Sequence, residues 1–377
     1  MRIIVNAYLG KKITGIGRYF IEIVSSIAAL NPDLELLIYT NFDNTDLLTF
    51  DFKSKNIIIK PYNISKLRPI ANLLFNAFVF PTIIIRENAD LLYIPNFSPL
   101  LFKVRPTVSV VYDTIEFKLK NKFSRIRTLY RQFIVPRMAK LSDHVITISE
   151  SSKRDIIELF NVDERKITVA SCAVSGKFTS EKNTISPFNA KYILYVGTVD
   201  HPGKNVLNSI RAFESYKKQV GNDLHFVICG MPGKGYDIVD EAMINSPYAH
   251  EIVYKGYVHD DELFLLYSHA ELFIFTSLYE GFGLPILEAM RYGIPVITSN
   301  KSSLPEVAGD AAIICDPDDI EKIASSIGRV LHDPELRGDM IRKGYENLKR
   351  FSWDDAAHKT VHVFETLLKQ QNPTSKD

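Results

Sequence analysis

Short apolar runs rich in Val, Ile and Leu recur along the whole chain, each followed by a longer stretch of helical character. That alternation limits what the chain can fold into. The first half carries RIIVN (2–6), ELLIYT (35–40), NIIIK (56–60), DLLYIP (90–95), TVSVVYD (107–113), HVITIS (144–149) and KITVA (166–170). The second half carries YILYVG (192–197), HFVICG (225–230), EIVYKG (251–256), ELFIFTS (271–277), IPVITS (294–299) and AAIIC (311–315). Near-continuous apolar runs separated by helices indicate parallel strands, because the crossover helices cover both faces of the sheet. A chain of 377 residues suits two such domains. The polar segment from Ser175 to Asn189 has a proline and no helical period, and reads as the linker. The expected architecture is therefore α/β, with doubly wound domains over 1–175 and 190–352 and one amphipathic helix within 353–377. Sheets of this kind bind ligands outside the C-terminal ends of their strands.

Composition excludes several classes. Hydrophobic residues make up 46% and charged residues 24%, ordinary for a globular protein, and a formal net charge of +1 gives no electrostatic case for nucleic acid. The three cysteines, Cys172, Cys229 and Cys315, are far apart and read as reduced core residues of a cytoplasmic protein. MRIIVNAY is too short and too polar at Asn6 for a signal peptide. The longest apolar segment, 70–85, is interrupted by Asn72, Asn76 and Pro81, and falls short of the ~20 residues of a membrane span. A soluble or peripheral protein is expected.

The stretch TSLYEGFGLPILEAMRYG (276–293) carries the most chemistry. A buried strand ends in the turn Gly281-Phe282-Gly283, and after Leu284 a helix opens with Pro285 near its first position, where a missing N–H costs nothing. A helix N-terminus attracts phosphate, and glycines let a ligand approach the backbone. Glu280 and Glu288, with seven residues between them, bracket the turn and are placed to accept hydroxyl hydrogen bonds on either side of a phosphate. A nucleotide-sugar offers that order of groups: sugar, diphosphate, ribose. The spacing, the GFGLP core and the following Gly293-Ile294-Pro295-Val296 together resemble the donor-site motif of glycosyltransferase family 4, retaining enzymes of the GT-B fold. The resemblance extends through LPEVAGDAAIICDP (304–317) and RKGYENLKRFSWDDAA (342–357), and more loosely through the first domain. It implies two Rossmann-like domains facing a cleft, with the final helix crossing back to the first. Glu280 then contacts the donor sugar and Glu288 the ribose.

Other positions follow from that frame. Lys204, in the loop Thr198–Asn205 after YILYVG, would set an ammonium beside the donor diphosphate. Family members usually add an arginine here, whereas this chain has Thr198 and Gly203 at those places, so Lys204 and backbone N–H groups carry the diphosphate. Gly15 and Gly17, in GIGRY, form either a flexible loop bordering the donor phosphate or acceptor, or a tight strand-to-helix turn with no ligand; Phe20 stands where a dinucleotide fingerprint needs its third glycine. Tyr112-Asp113 ends another strand. Asp113 either bonds the acceptor hydroxyl or caps the next segment, and Tyr112 lacks the base a histidine would offer. Ser149-Glu150 fits a family turn and a helix N-cap equally. Asp316-Pro317-Asp318 imitates a metal motif, but Asp318 reads better as an N-cap, and GMPGKG (230–235) lacks the spacing of a phosphate loop.

From Phe117 to Lys140 the chain has eight basic residues and no acidic one, among them Lys118, Lys120, Lys122, Arg125 and Arg127. Large residues from Phe123 to Ile134 recur at helical spacing. The segment is either a half-buried helix with a solvated cationic face or a surface for anionic lipid or a lipid-linked acceptor. The reaction implied by the resemblance is retaining transfer of a hexosyl group, mannosyl or rhamnosyl favoured, with GDP-mannose the first donor to consider. It needs neither metal nor cofactor, with Glu280, Lys204 and Asp113 as catalytic residues. The acceptor would be a glycan or lipid-linked oligosaccharide in surface polysaccharide synthesis. A sugar-nucleotide 2-epimerase of similar build and an inactive binding module are the alternatives.

Overall fold

The computed structural model describes residues 1–7, 15–41, 44–62, 68–119, 122–176, 178, 188 and 190–371. Most of the expected linker, and residues 8–14 before Gly15, lie outside them. The chain divides into two compact units: Met1–Phe117, Ser124–Cys172 and Ser352–Asp377 form the first, Lys118–Phe123 and Ala173–Phe351 the second. Residues 118–123 thus group with the second unit, whereas the sequence reading assigned them to the first domain.

In the first unit seven strands, β1 (Arg2–Asn6), β2 (Glu35–Asn41), β3 (Ile57–Tyr62), β4 (Leu91–Ile94), β5 (Thr107–Val110), β6 (His144–Thr147) and β7 (Ile167–Val169), line up as β3-β2-β1-β4-β5-β6-β7. Every pairing is parallel. Side chains alternate between faces with period two. On one face Ile4, Leu92, Ile94 and Val145 share a core cluster with Phe80 and Ile84 of the helix Phe80–Arg86, Val135 and Met138 of the helix Arg125–Leu141, and Ile156 of the helix Glu150–Phe160. Tyr93, on the opposite face, meets Phe364 of the helix Trp353–Gln371 edge-on, with ring centroids 5.3 Å apart. That helix also packs on the helix Gly15–Leu30, where Trp353 lies against Tyr19 at 5.4 Å.

In the second unit six strands, β8 (Lys191–Val196), β9 (Leu224–Cys229), β10 (Ile252–Gly256), β11 (Leu272–Phe275), β12 (Val296–Ser299) and β13 (Ala312–Cys315), are ordered β10-β9-β8-β11-β12-β13, again all parallel. The doubly wound expectation holds in both sheets. The chain reverses its direction across the sheet between β1 and β4, and between β8 and β11. At such a switch point two neighbouring connections leave toward opposite faces and open a crevice at the strand ends.

Three local expectations change. Gly15 and Gly17 lie in the first turn of the helix Gly15–Leu30 and not in a loop before it. The helix Ile320–His332 is capped by Asp319, whose carboxylate accepts the Lys322 N–H at 2.9 Å, one residue later than Asp318. The basic segment is not one helix. It breaks after Ile115–Lys118, and Ser124 caps a new helix, Arg125–Leu141. This second helix is also turned differently from the expectation, because Arg131 takes an inward position. Arg131 pairs with buried Glu116, and its guanidinium lies 3.8 Å from the centroid of the Phe97 ring. With Arg131 inside, Ile126, Leu129 and Phe133 are left on the outer side.

Candidate active site

The loops after β8 and β11 meet at the switch point of the second sheet. Strand β8 runs into Gly197 and β9 into Gly230, and both glycines are required. Gly230 has φ +148°, and a Cβ there would come within 1.8 Å of the Gly197 carbonyl oxygen. The two loops therefore continue backbone to backbone. Val199 N–H donates to Met231 O at 2.9 Å, Gly233 N–H to Val199 O at 2.8 Å, and His201 N–H to Lys234 O at 2.9 Å. GMPGKG is no phosphate loop. It is the brace for the loop that carries Lys204. Burial first, then the charges of Glu280 and Asp200, hold the Tyr195 phenol protonated well above its ordinary range. Its hydroxyl donates to Thr198 O at 3.0 Å, and Thr198 itself is exposed on the loop.

Asp200 organises the rest of that loop. It is 2% exposed, its Oδ1 accepts the Lys204 N–H at 3.0 Å, and its Oδ2 pairs with the Lys122 ammonium. Gly203 leaves room for this arrangement, since a Cβ there would lie 2.7 Å from Asp200 Oδ1 and 2.8 Å from Lys122 Nζ. Asn205 then takes a left-handed conformation (φ +56°), and its side chain donates to Pro317 O at 2.7 Å. The helix Val206–Val220 follows.

The β11 loop is tied to the β8 loop and to the β12 loop. Leu278 N–H donates to Gly203 O at 2.9 Å. Glu280 N–H donates to Ser302 Oγ at 2.8 Å, while Ser303 Oγ donates to Glu280 O at 3.0 Å and to Phe282 O at 2.7 Å. Ser303 stands at the N-cap position of the helix Leu304–Ala308 but makes no capping bond, and its hydroxyl serves the glycine turn instead. Gly283, at φ +110°, opens the helix Leu284–Arg291 with Pro285 in its first turn. A Cβ on Gly283 would strike Leu304 at 2.7 Å. Phe282 is buried against Phe351.

These ties bring Lys204 and Glu280 together. Lys204 Nζ lies 2.5 Å from Glu280 Oε1 and 5.6 Å from the centroid of the Phe275 ring. Gly281 and Leu284 are half-exposed beside the pair in sequence. Glu288, one turn into the helix, is 4% exposed, and its Oε2 accepts the Tyr267 hydroxyl at 2.9 Å. Tyr267 in turn stacks on Tyr292 with planes 5° apart. Two lysines, Lys122 and Lys204, three carboxylates, Asp200, Glu280 and Glu288, and a glycine turn at a helix start thus share one sheet edge. The arrangement suits an anionic diphosphate flanked by hydroxyls.

The other sequence-predicted residues lie in the first unit and in the segment 118–123. Asp113 is half-buried and accepts the Ile115 N–H at 3.2 Å, and neighbouring Thr114 bonds buried Asp155 at 3.2 Å. Tyr112, expected beside the acceptor, is 3% exposed, its hydroxyl donates to Pro95 O at 2.7 Å, and burial raises its phenol pKa well above the ordinary value. Lys118, Arg125 and Arg127 are exposed, and Lys120 lies outside the described residues. Lys122 leaves the expected lipid-facing set altogether, because it is held by Asp200. Sequence reasoning missed Asp200, Ser302 and Ser303. A carboxylate four residues before Lys204 was the only available signal for the first, and the serines read as ordinary helix-start residues.

The fold and site define a glycosyltransferase of the GT-B kind. Residues 13–175 match the family model "Glycosyltransferase Family 4" and residues 177–347 the model "Glycosyl transferases group 1". The chain belongs to the family 4 glycosyltransferases. It is 29% identical over 381 residues to the O-antigen chain mannosyltransferase B of Escherichia coli, covering 94% of this chain and 97% of that one. It is 26% identical to the O-antigen chain mannosyltransferase RfbU of Salmonella typhimurium, covering 91% and 95%. Among solved structures, Anabaena HepE in complex with UDP-glucose superposes with a TM-score of 0.74 at 15% identity, covering 97% of this chain and 100% of that one. A likeness at that identity concerns the fold.

Proposed function

We propose that this protein is a retaining mannosyltransferase that moves a mannosyl group from GDP-mannose to a glycan or lipid-linked acceptor in surface polysaccharide synthesis, at the cytoplasmic face of a membrane. The observation that carries the reading is the Lys204–Glu280 pair, fixed at a sheet switch point by loops bonded to one another. The names of the relatives favour mannose over other hexoses. In this reading the diphosphate lies at the start of the helix Leu284–Arg291, with Lys204 facing the charge that grows on the leaving phosphate. Glu280 accepts hydroxyls of the sugar, and Asp113 orients the acceptor hydroxyl. The leaving phosphate takes the acceptor's proton on the face from which it departs, so Glu280 need not attack. Lys204 and backbone N–H groups supply the positive charge, and treatment with EDTA should leave turnover unchanged.

Thermal-shift screening against GDP-, UDP- and dTDP-sugars tests the donor, with product analysis separating the classes. A transferase releases nucleotide and free sugar slowly without acceptor, an epimerase returns a new nucleotide-sugar, and a binding module leaves the donor intact. Glu288 makes a sharper test of the ribose assignment. A buried carboxylate that also receives the ribose hydroxyls contributes about 1.5–3 kcal/mol of charged hydrogen bonding. Glu288→Ala should therefore weaken GDP binding in calorimetry by at least about tenfold, since about 1.4 kcal/mol is a factor of ten. Tyr267→Phe removes the internal bond to Glu288 while keeping the carboxylate and should change GDP affinity little. Equal affinities for wild type and Glu288→Ala would remove the ribose assignment and leave Glu288 a structural residue bonded to Tyr267.

A further inference from the structure

The helix Arg125–Leu141 presents an outer side that a soluble helix does not ordinarily show. Ile126 is 83% exposed, Leu129 68% and Phe133 63%, three and four residues apart, so they form one stripe. Its opposite side is buried through Ile134, Val135 and Met138. Arg137 and Lys140 continue the exposed stripe, Arg125 stands at its start, and no acidic residue occurs between Phe117 and Ser142. Nearby chain extends the apolar surface. Phe102, beside the Leu101 carbonyl that accepts Arg137 Nη2 at 3.1 Å, is 48% exposed. Among the described residues no helix is long and apolar enough to cross a membrane.

We infer that this face of the first unit docks on an anionic lipid bilayer, with Ile126, Leu129 and Phe133 inserted at the boundary of headgroups and acyl chains and the surrounding cations on lipid phosphates. Charge selects the occupant. Exposed apolar surface of this extent marks an interaction site, and its cationic margin complements an anionic surface. A second copy would bring the same cations face to face across a two-fold interface. The inference deepens the proposed membrane-held acceptor, but it concerns binding alone. Its test needs no donor or turnover, so its failure is distinct from failure of the transferase reading.

Co-sedimentation with vesicles containing phosphatidylglycerol, against vesicles of phosphatidylcholine alone, provides the test. The wild-type protein should bind the anionic vesicles. At about 0.5 M salt, where screening reaches a few ångström, binding should weaken yet persist, because apolar insertion is not screened. The triple variant Ile126→Ser, Leu129→Ser, Phe133→Ser should partition at least about tenfold more weakly, with its melting temperature and GDP affinity unchanged. Phe133→Trp guards against a misfolded triple variant, since its emission should shift to the blue on anionic vesicles. No wild-type binding, equal binding by the triple variant, or no shift for Phe133→Trp would each overturn the inference. So would a dimer that the triple variant dissolves in the absence of any vesicle binding, which would assign the face to a second copy.

Discussion

Lys204→Ala should lower kcat by at least about 100-fold, because an ammonium aimed at the leaving diphosphate acts mainly in the transition state. The structure adds a second cause. Lys204 is matched to Glu280 at 2.5 Å, with side chains 19% and 13% exposed, so removing the lysine also unmasks a carboxylate beside an anionic ligand. Affinity for bare GDP should therefore fall too. The variant Lys204→Ala/Glu280→Ala should recover part of that affinity without recovering turnover. Glu280→Ala alone should lose turnover while binding GDP at least as well as the wild-type protein. Steady-state kinetics and calorimetry on the three variants check this pattern. If the double variant regained turnover, the pair would be an ordinary structural ion pair and the catalytic assignment would fall.

Asp200→Ala should be the most damaging substitution for stability among the loop residues. Asp200 and Lys122 are paired with side chains 3% and 13% exposed, and breaking such a pair from one side leaves an uncompensated charge, a cost of about 3–5 kcal/mol. The Lys204 N–H loses its acceptor as well. Lys122→Met in the Asp200→Ala background removes the stranded charge and should restore a good part of the loss, whereas Lys122→Met in the wild-type protein should itself be destabilising. Denaturant midpoints for the four proteins of this cycle measure the coupling. Additive losses would mean that the two side chains do not support each other.

The sheets were legible because their strands are nearly unbroken runs of Val, Ile and Leu, and burial on both faces leaves such runs few alternatives. The turn from Gly281 to Gly283 and the helix after it were legible because glycine and proline each have a local reason to stand where they do. What escaped depends on contacts distant in sequence. Nothing around Lys122 shows that its partner is Asp200, 78 residues away. Nothing near Ser303 shows that its hydroxyl will turn from the helix it precedes to the carbonyl of Phe282. The periodicity from Phe117 to Lys140 correctly suggested an amphipathic segment, yet periodicity alone does not say which side faces in. One cation–aromatic contact and one buried carboxylate, Phe97 and Glu116, hold Arg131 inward and put the large apolar residues outside. The break before Ser124 was missed for a related reason, since the basic pattern runs on across it.

The most direct test of the central claim is to follow GDP-mannose by proton NMR in the presence of a soluble mannoside acceptor and to read the anomeric configuration of the first product. The account predicts that GDP and an α-linked mannoside appear together, with the donor's configuration kept, and that Glu280→Ala and Lys204→Ala abolish both signals. A β-linked product, or turnover that survives both substitutions, would contradict it.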